Sequence, residues 1–167
     1  YFDAAQTGSK AWEPKNFDGK FGGPIRMRVA LAQSKNLASI RILQAIGPRY
    51  AQDYIARFGF DSNRHPPYLP MALGAGSVTP LQMASGYAIF ANGGYKVEPY
   101  FIERVEDDKG NIVQQVDPLV AGQNATQIID PRNAFLMNSM MQDVIQRGTA
   151  TAAKQLKRND LAGKTGT

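Results

Sequence analysis

The chain has no cysteine. That excludes disulfide staples, a thiolate nucleophile and any metal site built on sulfur, and it leaves the redox compartment open. Histidine is almost as scarce. The one copy, His65, stands in Arg64-His65-Pro66-Pro67, a stiff turn-forming context that reads as loop rather than as the seat of a catalytic base. A histidine-based triad is therefore not expected, and a serine working in this chain would need lysine to activate it. Nothing in the sequence calls for a metal or a cofactor. Ionisable Lys, Arg, Asp and Glu are missing from residues 66–95, but Gly74, Gly76, Ser77, Thr79, Pro80 and Gln82 interrupt that stretch. A helix crossing a bilayer needs about 20 mostly apolar residues without such breaks, so no span is expected. Nor does a basic segment precede a continuous apolar run after Tyr1, so no signal peptide is expected at this end. The net charge of +5 comes wholly from residues 1–64, with ten Lys/Arg against five Asp/Glu. These charges are scattered singly. They describe a solvated surface, and neither a nucleic-acid stripe nor a lipid-binding patch is expected.

What is present is enough for one core: 167 residues with 43% apolar side chains. Residues 1–24 are rich in Gly, Lys and Asp without helical period and read as a surface segment, with Trp12 as its anchor. A short helix is expected over 25–33, with Ile25, Val29 and Ala32 on one face and a break at Ser34. Next comes a helix burying Leu37, Ile40, Leu43 and Ile46, ended by Gly47-Pro48. A third, over 48–58, carries the aromatic stripe Tyr50, Tyr54 and Phe58, read as core. Thr79-Pro80 and Asp130-Pro131 each pair an N-cap with a proline at the first helical position. They open helices that run to about Ala91 and Arg147. The second has an apolar stripe of Leu136, Met137, Met140, Met141, Val144 and Ile145, with methionine as gap-filler. A hairpin is expected from 102–105 and 111–116 around a charged tip, a short helix over 149–156, and a strand over 161–167.

Two short motifs stand at distant points. Ser34-Lys35-Asn36 sets a hydroxyl and an amide two residues apart at the entrance to a helix, where both can face one cavity while Lys35 points elsewhere. The same residues also suit a plain N-cap. The chain ends Leu161-Ala162-Gly163-Lys164-Thr165-Gly166-Thr167. Gly163-Lys164-Thr165 could close a phosphate loop, but that motif needs glycine five positions before Gly163, where Arg158 stands, and a helix beyond Thr165.

Ser-x-Asn followed by Lys-Thr-Gly is the second and third of three motifs in serine enzymes that handle penicillin. Trp12-Glu13-Pro14-Lys15-Asn16, Arg28-Val29-Ala30-Leu31-Ala32-Gln33, Gly74-Ala75-Gly76-Ser77-Val78-Thr79-Pro80-Leu81-Gln82-Met83-Ala84 and Arg147-Gly148-Thr149-Ala150 fill the space between. Through nearly its whole length the chain resembles the transpeptidase domain of class A, bifunctional penicillin-binding proteins. The first motif, Ser-x-x-Lys, is missing. Ser9, Ser34, Ser39, Ser62, Ser77, Ser85 and Ser139 are followed three residues on by Trp12, Leu37, Ile42, His65, Pro80, Ala88 and Gln142. The resemblance thus implies a partial transpeptidase domain over 1–167, without its nucleophile and inactive alone.

The fold so implied is α+β, of the penicillin-binding-protein and serine β-lactamase type, with this piece mostly helical. The implied reaction is peptidoglycan cross-linking between D-Ala-D-Ala stem peptides, inhibited by β-lactams, on the outer face of a bacterial inner membrane. The implied partners are the stem peptides, β-lactam antibiotics and the rest of the penicillin-binding protein. In that setting Asn124-Ala125-Thr126 is not a glycosylation site. Residue by residue, the resemblance implies that Ser34 relays a proton, and that Asn36 bonds the substrate's backbone amide. Lys164 supplies positive charge, Thr165 and Thr167 bind the substrate carboxylate, Gly166 leaves room for substrate, and the Thr167 N–H forms half of an oxyanion hole. A serine β-lactamase or a non-catalytic penicillin sensor is the alternative within the same fold.

Overall fold

The computed structural model describes residues 1–166. Six α-helices and four short strands follow in chain order: α1 (Ala4–Thr7), α2 (Met27–Ala32), α3 (Asn36–Ile46), α4 (Pro48–Ala56), α5 (Pro80–Ala91), β1 (Tyr95–Lys96), β2 (Arg104–Glu106), β3 (Ile112–Gln115), β4 (Thr126–Gln127) and α6 (Pro131–Arg147). The mixture is the α+β class expected, dominated by helix. Helix starts follow local chemistry. Thr79 Oγ1 accepts from Gln82 N–H at 3.1 Å while Gln82 Oε1 accepts from Thr79 N–H at 2.9 Å, a reciprocal cap beneath Pro80. Asp130 caps α6 by accepting from Arg132 N–H at 2.8 Å. Gly47, at φ +90°, both ends α3 and begins α4, a conformation that a side chain would resist.

The core forms two clusters. Ile40, Leu43 and Leu69 make one, with Trp12, Phe2 and Leu37 packed against it, so Trp12 does tack the opening segment to the body. Ile89, Ile129 and Ala134 make the other, joined by Tyr54, Phe58 and Phe90. The aromatic stripe is thus only partly core. Tyr50 is 60% exposed because α4 lies at the surface and turns only its later aromatics inward. Ile46, at the end of α3, and Leu136, on the outer side of α6, are likewise exposed. Met141 is buried, while Met137 and Met140 are half-buried. His65 does lie in a loop, but a buried one. It sits against Gly76, where an added Cβ would come within 1.9 Å of Nδ1, and edge-on to Phe60.

β2 and β3 form the expected hairpin, with Arg104 opposite Gln115 and Val105 opposite Gln114, and every residue of both strands is exposed. β1 pairs antiparallel with β4. The stretch expected as a C-terminal strand does not form one over 161–166. A strand exists by hydrogen bonding to a neighbour, and no neighbour strand stands beside this segment among the described residues. Gly163 N–H instead donates to Met141 O at 3.3 Å, which lays the segment along α6.

α2 and α6 meet through polar groups. Arg28 donates from one guanidinium nitrogen to Ser139 O, Ser139 Oγ and Asp143 Oδ2 at 2.9, 3.0 and 2.9 Å, and Arg147 reaches Asp143 Oδ1 at 2.6 Å. Burial alone would raise the Asp143 pKa, but the hydrogen bonds from Arg28 and then Arg147 outweigh it and hold the carboxyl below its ordinary 3.8. One turn on, Thr149 N–H donates to Ala32 O at 3.0 Å, and a Cβ on Gly148 would lie 2.2 Å from that same oxygen.

Two outcomes follow. Gly148→Ala should destabilise the fold by about 1–3 kcal/mol, because backbone on both sides must move to admit one methyl. A thermal unfolding midpoint unchanged from wild type would refute this contact. For Asp143, a depressed folded pKa means stabilisation that is present above about pH 3.8 and lost as pH falls through the lower folded value. Asp143→Asn should remove this component of the acid-unfolding curve, seen as a shallower loss of stability below pH 4.

Candidate active site

Ser34 follows the last turn of α2 in the left-handed region, at φ +53°. Its N–H donates to Leu31 O at 3.1 Å and the next N–H, of Lys35, donates to Ala30 O at 2.9 Å. This is the Schellman ending of a helix, at whose left-handed position glycine is the usual occupant. Serine there costs on the order of 1 kcal/mol of backbone strain. The plain N-cap reading of Ser34 is overturned. Lys35 occupies the N-cap position of α3 and makes no side-chain cap. Asn16, from the opening segment, supplies what is lacking locally, its Oδ1 accepting from Leu37 N–H at 3.2 Å.

Freed from capping, the Ser34 hydroxyl accepts from Lys164 Nζ at 2.7 Å. These residues are 130 positions apart, so tertiary structure alone makes the contact. An ammonium has donors only, so Ser34 Oγ must be the acceptor, and its own proton stays free for a third group. Nζ donates also to Thr165 O at 3.0 Å. Burial of the ammonium pulls the Lys164 pKa below its ordinary 10.5.

Lys35 turns away, as expected from the motif, and its Nζ donates to Asp18 Oδ2 at 2.5 Å. That hydrogen bond, and then the one from Lys20 N–H, lower the Asp18 pKa. Asn36 is the first residue of α3, and its Nδ2 donates to Lys15 O at 3.0 Å, so its carbonyl end is turned the other way. Thr165 Oγ1 lies 2.6 Å from Thr149 Oγ1. A Cβ on Gly166 would meet nothing within 4 Å, so the backbone there is open to approach. Thr167 lies outside the described residues.

Sequence reasoning assigned no role to Thr149 or Asn16, although both stand in segments that it singled out. A threonine just past the end of α6 was the available signal for the first. The second has none, because Asn16 meets α3 only through tertiary packing. Among the described residues no group of three or more His, Asp or Glu side chains could hold a metal, and no helix is long and apolar enough to cross a membrane.

The family described as "Penicillin binding protein transpeptidase domain" matches residues 2–167. Penicillin-binding protein 1A of Neisseria flavescens is 57% identical over 158 residues, which cover 95% of this chain and 20% of that protein. Its counterpart in Pseudomonas aeruginosa is 40% identical, covering 95% of this chain and 25% of its own length. The crystal structure of penicillin-binding protein 1A from Haemophilus influenzae superposes with a TM-score of 0.91 at 35% identity, covering 96% of this chain and 29% of that one. The chain therefore spans about one fifth to one quarter of the curated relatives it matches. On these matches the chain belongs to the penicillin-binding protein transpeptidase family.

Proposed function

We propose that this chain carries the proton-relay and carboxylate-recognition half of a serine transpeptidase site that cross-links peptidoglycan in the periplasm, in a protein that also bears a glycosyltransferase domain. The contact of Lys164 Nζ with Ser34 Oγ carries the reading. The attacking serine is proposed to lie in a Ser-x-x-Lys segment outside these 167 residues, since no serine here has lysine three positions on.

In the proposed reaction that serine attacks the penultimate D-alanine carbonyl of a stem peptide, forming an ester as the C–N bond breaks. The departing D-alanine amine takes its proton from Ser34, whose own O–H is not needed to hold Lys164, and Ser34 is reprotonated by the proton that the attacking serine gives up, passed on by the lysine of its Ser-x-x-Lys segment. The resolving amine of a second stem peptide attacks the ester. Its surplus proton returns through the same hydroxyl as the serine leaves. Lys164 keeps an ammonium beside Ser34, which lowers the cost of passing a proton through that oxygen. Asn36 presents its amide carbonyl to the substrate's backbone N–H. Thr165, with Thr167, offers hydroxyls to the terminal carboxylate, and the Thr167 N–H completes an oxyanion hole beside the small Gly166. A β-lactam would acylate the same serine and remain there, because its leaving group stays tethered.

In the full-length protein, Ser34→Ala should keep the fold and lower penicillin acylation by roughly 10² to 10⁴-fold, the effect of removing a positioned proton-transfer group. Stopped-flow acylation at the wild-type rate would reduce Ser34 to a structural residue. Lys164 gives a pH test. Its pKa is depressed, so the ammonium is lost at a pH below the ordinary 10.5. Acylation should fall on the alkaline limb with a midpoint below that value, and Lys164→Arg should move the limb upward. An alkaline limb indifferent to this substitution would remove Lys164 from the proton path.

A further inference from the structure

Thr149 stands outside both motifs, yet its hydroxyl is 2.6 Å from that of Thr165, and its backbone is fixed independently of any ligand. Its N–H donates to Ala32 O at 3.0 Å, two residues before Ser34, and the preceding Gly148 lies so close to the same carbonyl that a Cβ would overlap it. Thr149 therefore takes its position from the same helix end that sets Ser34. Both threonines of the pair are exposed, so the pair faces open space rather than the core.

Each hydroxyl has one proton, and only one of the two can lie in the shared bond. If Thr165 donates to Thr149, Thr165 can only accept from a ligand. If Thr149 donates to Thr165, the Thr165 proton is free, and its oxygen is polarised toward a stronger donor by the bond it receives. A carboxylate has acceptors only, so its arrival selects the second arrangement. Isolated, a threonine hydroxyl would be free to rotate and to bond its own backbone, as threonine commonly does in extended and turn segments. The Thr149 contact removes that freedom before the ligand arrives.

We infer that Thr149 is a positioning residue, which donates to Thr165 Oγ1 and thereby aims the Thr165 hydroxyl at the carboxylate of the ligand. This rests on the proposed carboxylate-recognition role of Thr165. Thr149 itself touches no reacting atom. Its effect should therefore appear only with substrates that carry the anion.

The test uses the full-length protein and two acyl-D-alanyl thioesters, one whose leaving thiol bears a carboxylate and one whose thiol does not. Wild type should acylate faster with the carboxylate-bearing ester, and no preference there would overturn the carboxylate reading and this inference with it. Given that preference, Thr149→Val should lower the acylation efficiency of the carboxylate-bearing ester by about five-fold, the size of one neutral hydrogen bond, mostly in KM. It should leave the carboxylate-free ester unchanged. Thr149→Ser, which keeps the hydroxyl, should behave as wild type on both. Equal loss on the two esters would show a structural role, no loss on either would show that the pair is idle, and failure of serine to rescue would show that the methyl matters rather than the hydroxyl. Each of these results overturns the inference, and none of them disturbs the wild-type preference on which the carboxylate reading depends.

Discussion

The hydrogen bond from Thr149 N–H to Ala32 O, with Gly148 wedged beneath it, fixes how near the end of α6 comes to the end of α2. Both ends lead straight into site residues: two positions beyond Ala32 is Ser34, and the hydroxyl of Thr149 itself holds Thr165. The Arg28–Asp143 pair sets the angle of the two helices earlier along α6, and Arg147, on α6 itself, holds that carboxylate in place. A backbone bond sets separation and a carboxylate shared across the helices sets orientation, so two residues 130 positions apart meet at hydrogen-bond distance.

Ser34 shows how strain is placed at such a joint. The Schellman ending of α2 asks for a residue in the left-handed region, and glycine would satisfy it without cost. Serine accepts the strain, and the gain is a hydroxyl carried at the turn itself, where Lys164 reaches it. The direction that the motif's middle residue takes also follows. Lys35, extended at φ −76° and ψ 106°, leaves the turn toward Asp18, and α3 starts at once with Asn36. A tight reversal between two helices is what lets Ser34 meet Lys164 while the next residue, Lys35, reaches back to the opening segment.

Much of the fold was legible because its signals are local. Thr79-Pro80 and Asp130-Pro131 announced α5 and α6 at their first residues, and Gly47 announced the join of α3 and α4. Burial was less legible. Tyr50 and Ile46 continue the periods of Tyr54 and Leu43, but period states only which side of a helix a residue is on, and the core ends before the helix does. The strand expected over 161–167 does not form over 161–166 for a different reason, since extended sequence does not become strand without a partner edge. At the site, the meeting of Ser34 and Lys164 followed from a family resemblance and not from spacing. The contact of Asn16 was out of reach and that of Thr149 was hinted at only by its place just past α6, because each contact exists only after folding.

The two lysines near this joint differ in what surrounds them, and the difference decides what each can do. Lys35 ends on the Asp18 carboxylate, so its charge is matched within the chain. Lys164 is half-buried, and its described partners, the Ser34 hydroxyl and the Thr165 carbonyl, are both neutral. Its pKa is moved by burial, with no carboxylate acting against that shift. A matched cation near a surface has little pull on a newcomer, because an arriving anion must compete with the partner already there. An unmatched, partly desolvated one gains whenever negative charge appears beside it, whether brought by a ligand or developed during a reaction. That cation lies against a serine whose own proton is uncommitted and next to a pair of hydroxyls open to solvent, so charge and hydroxyls gather where three segments remote in sequence come together.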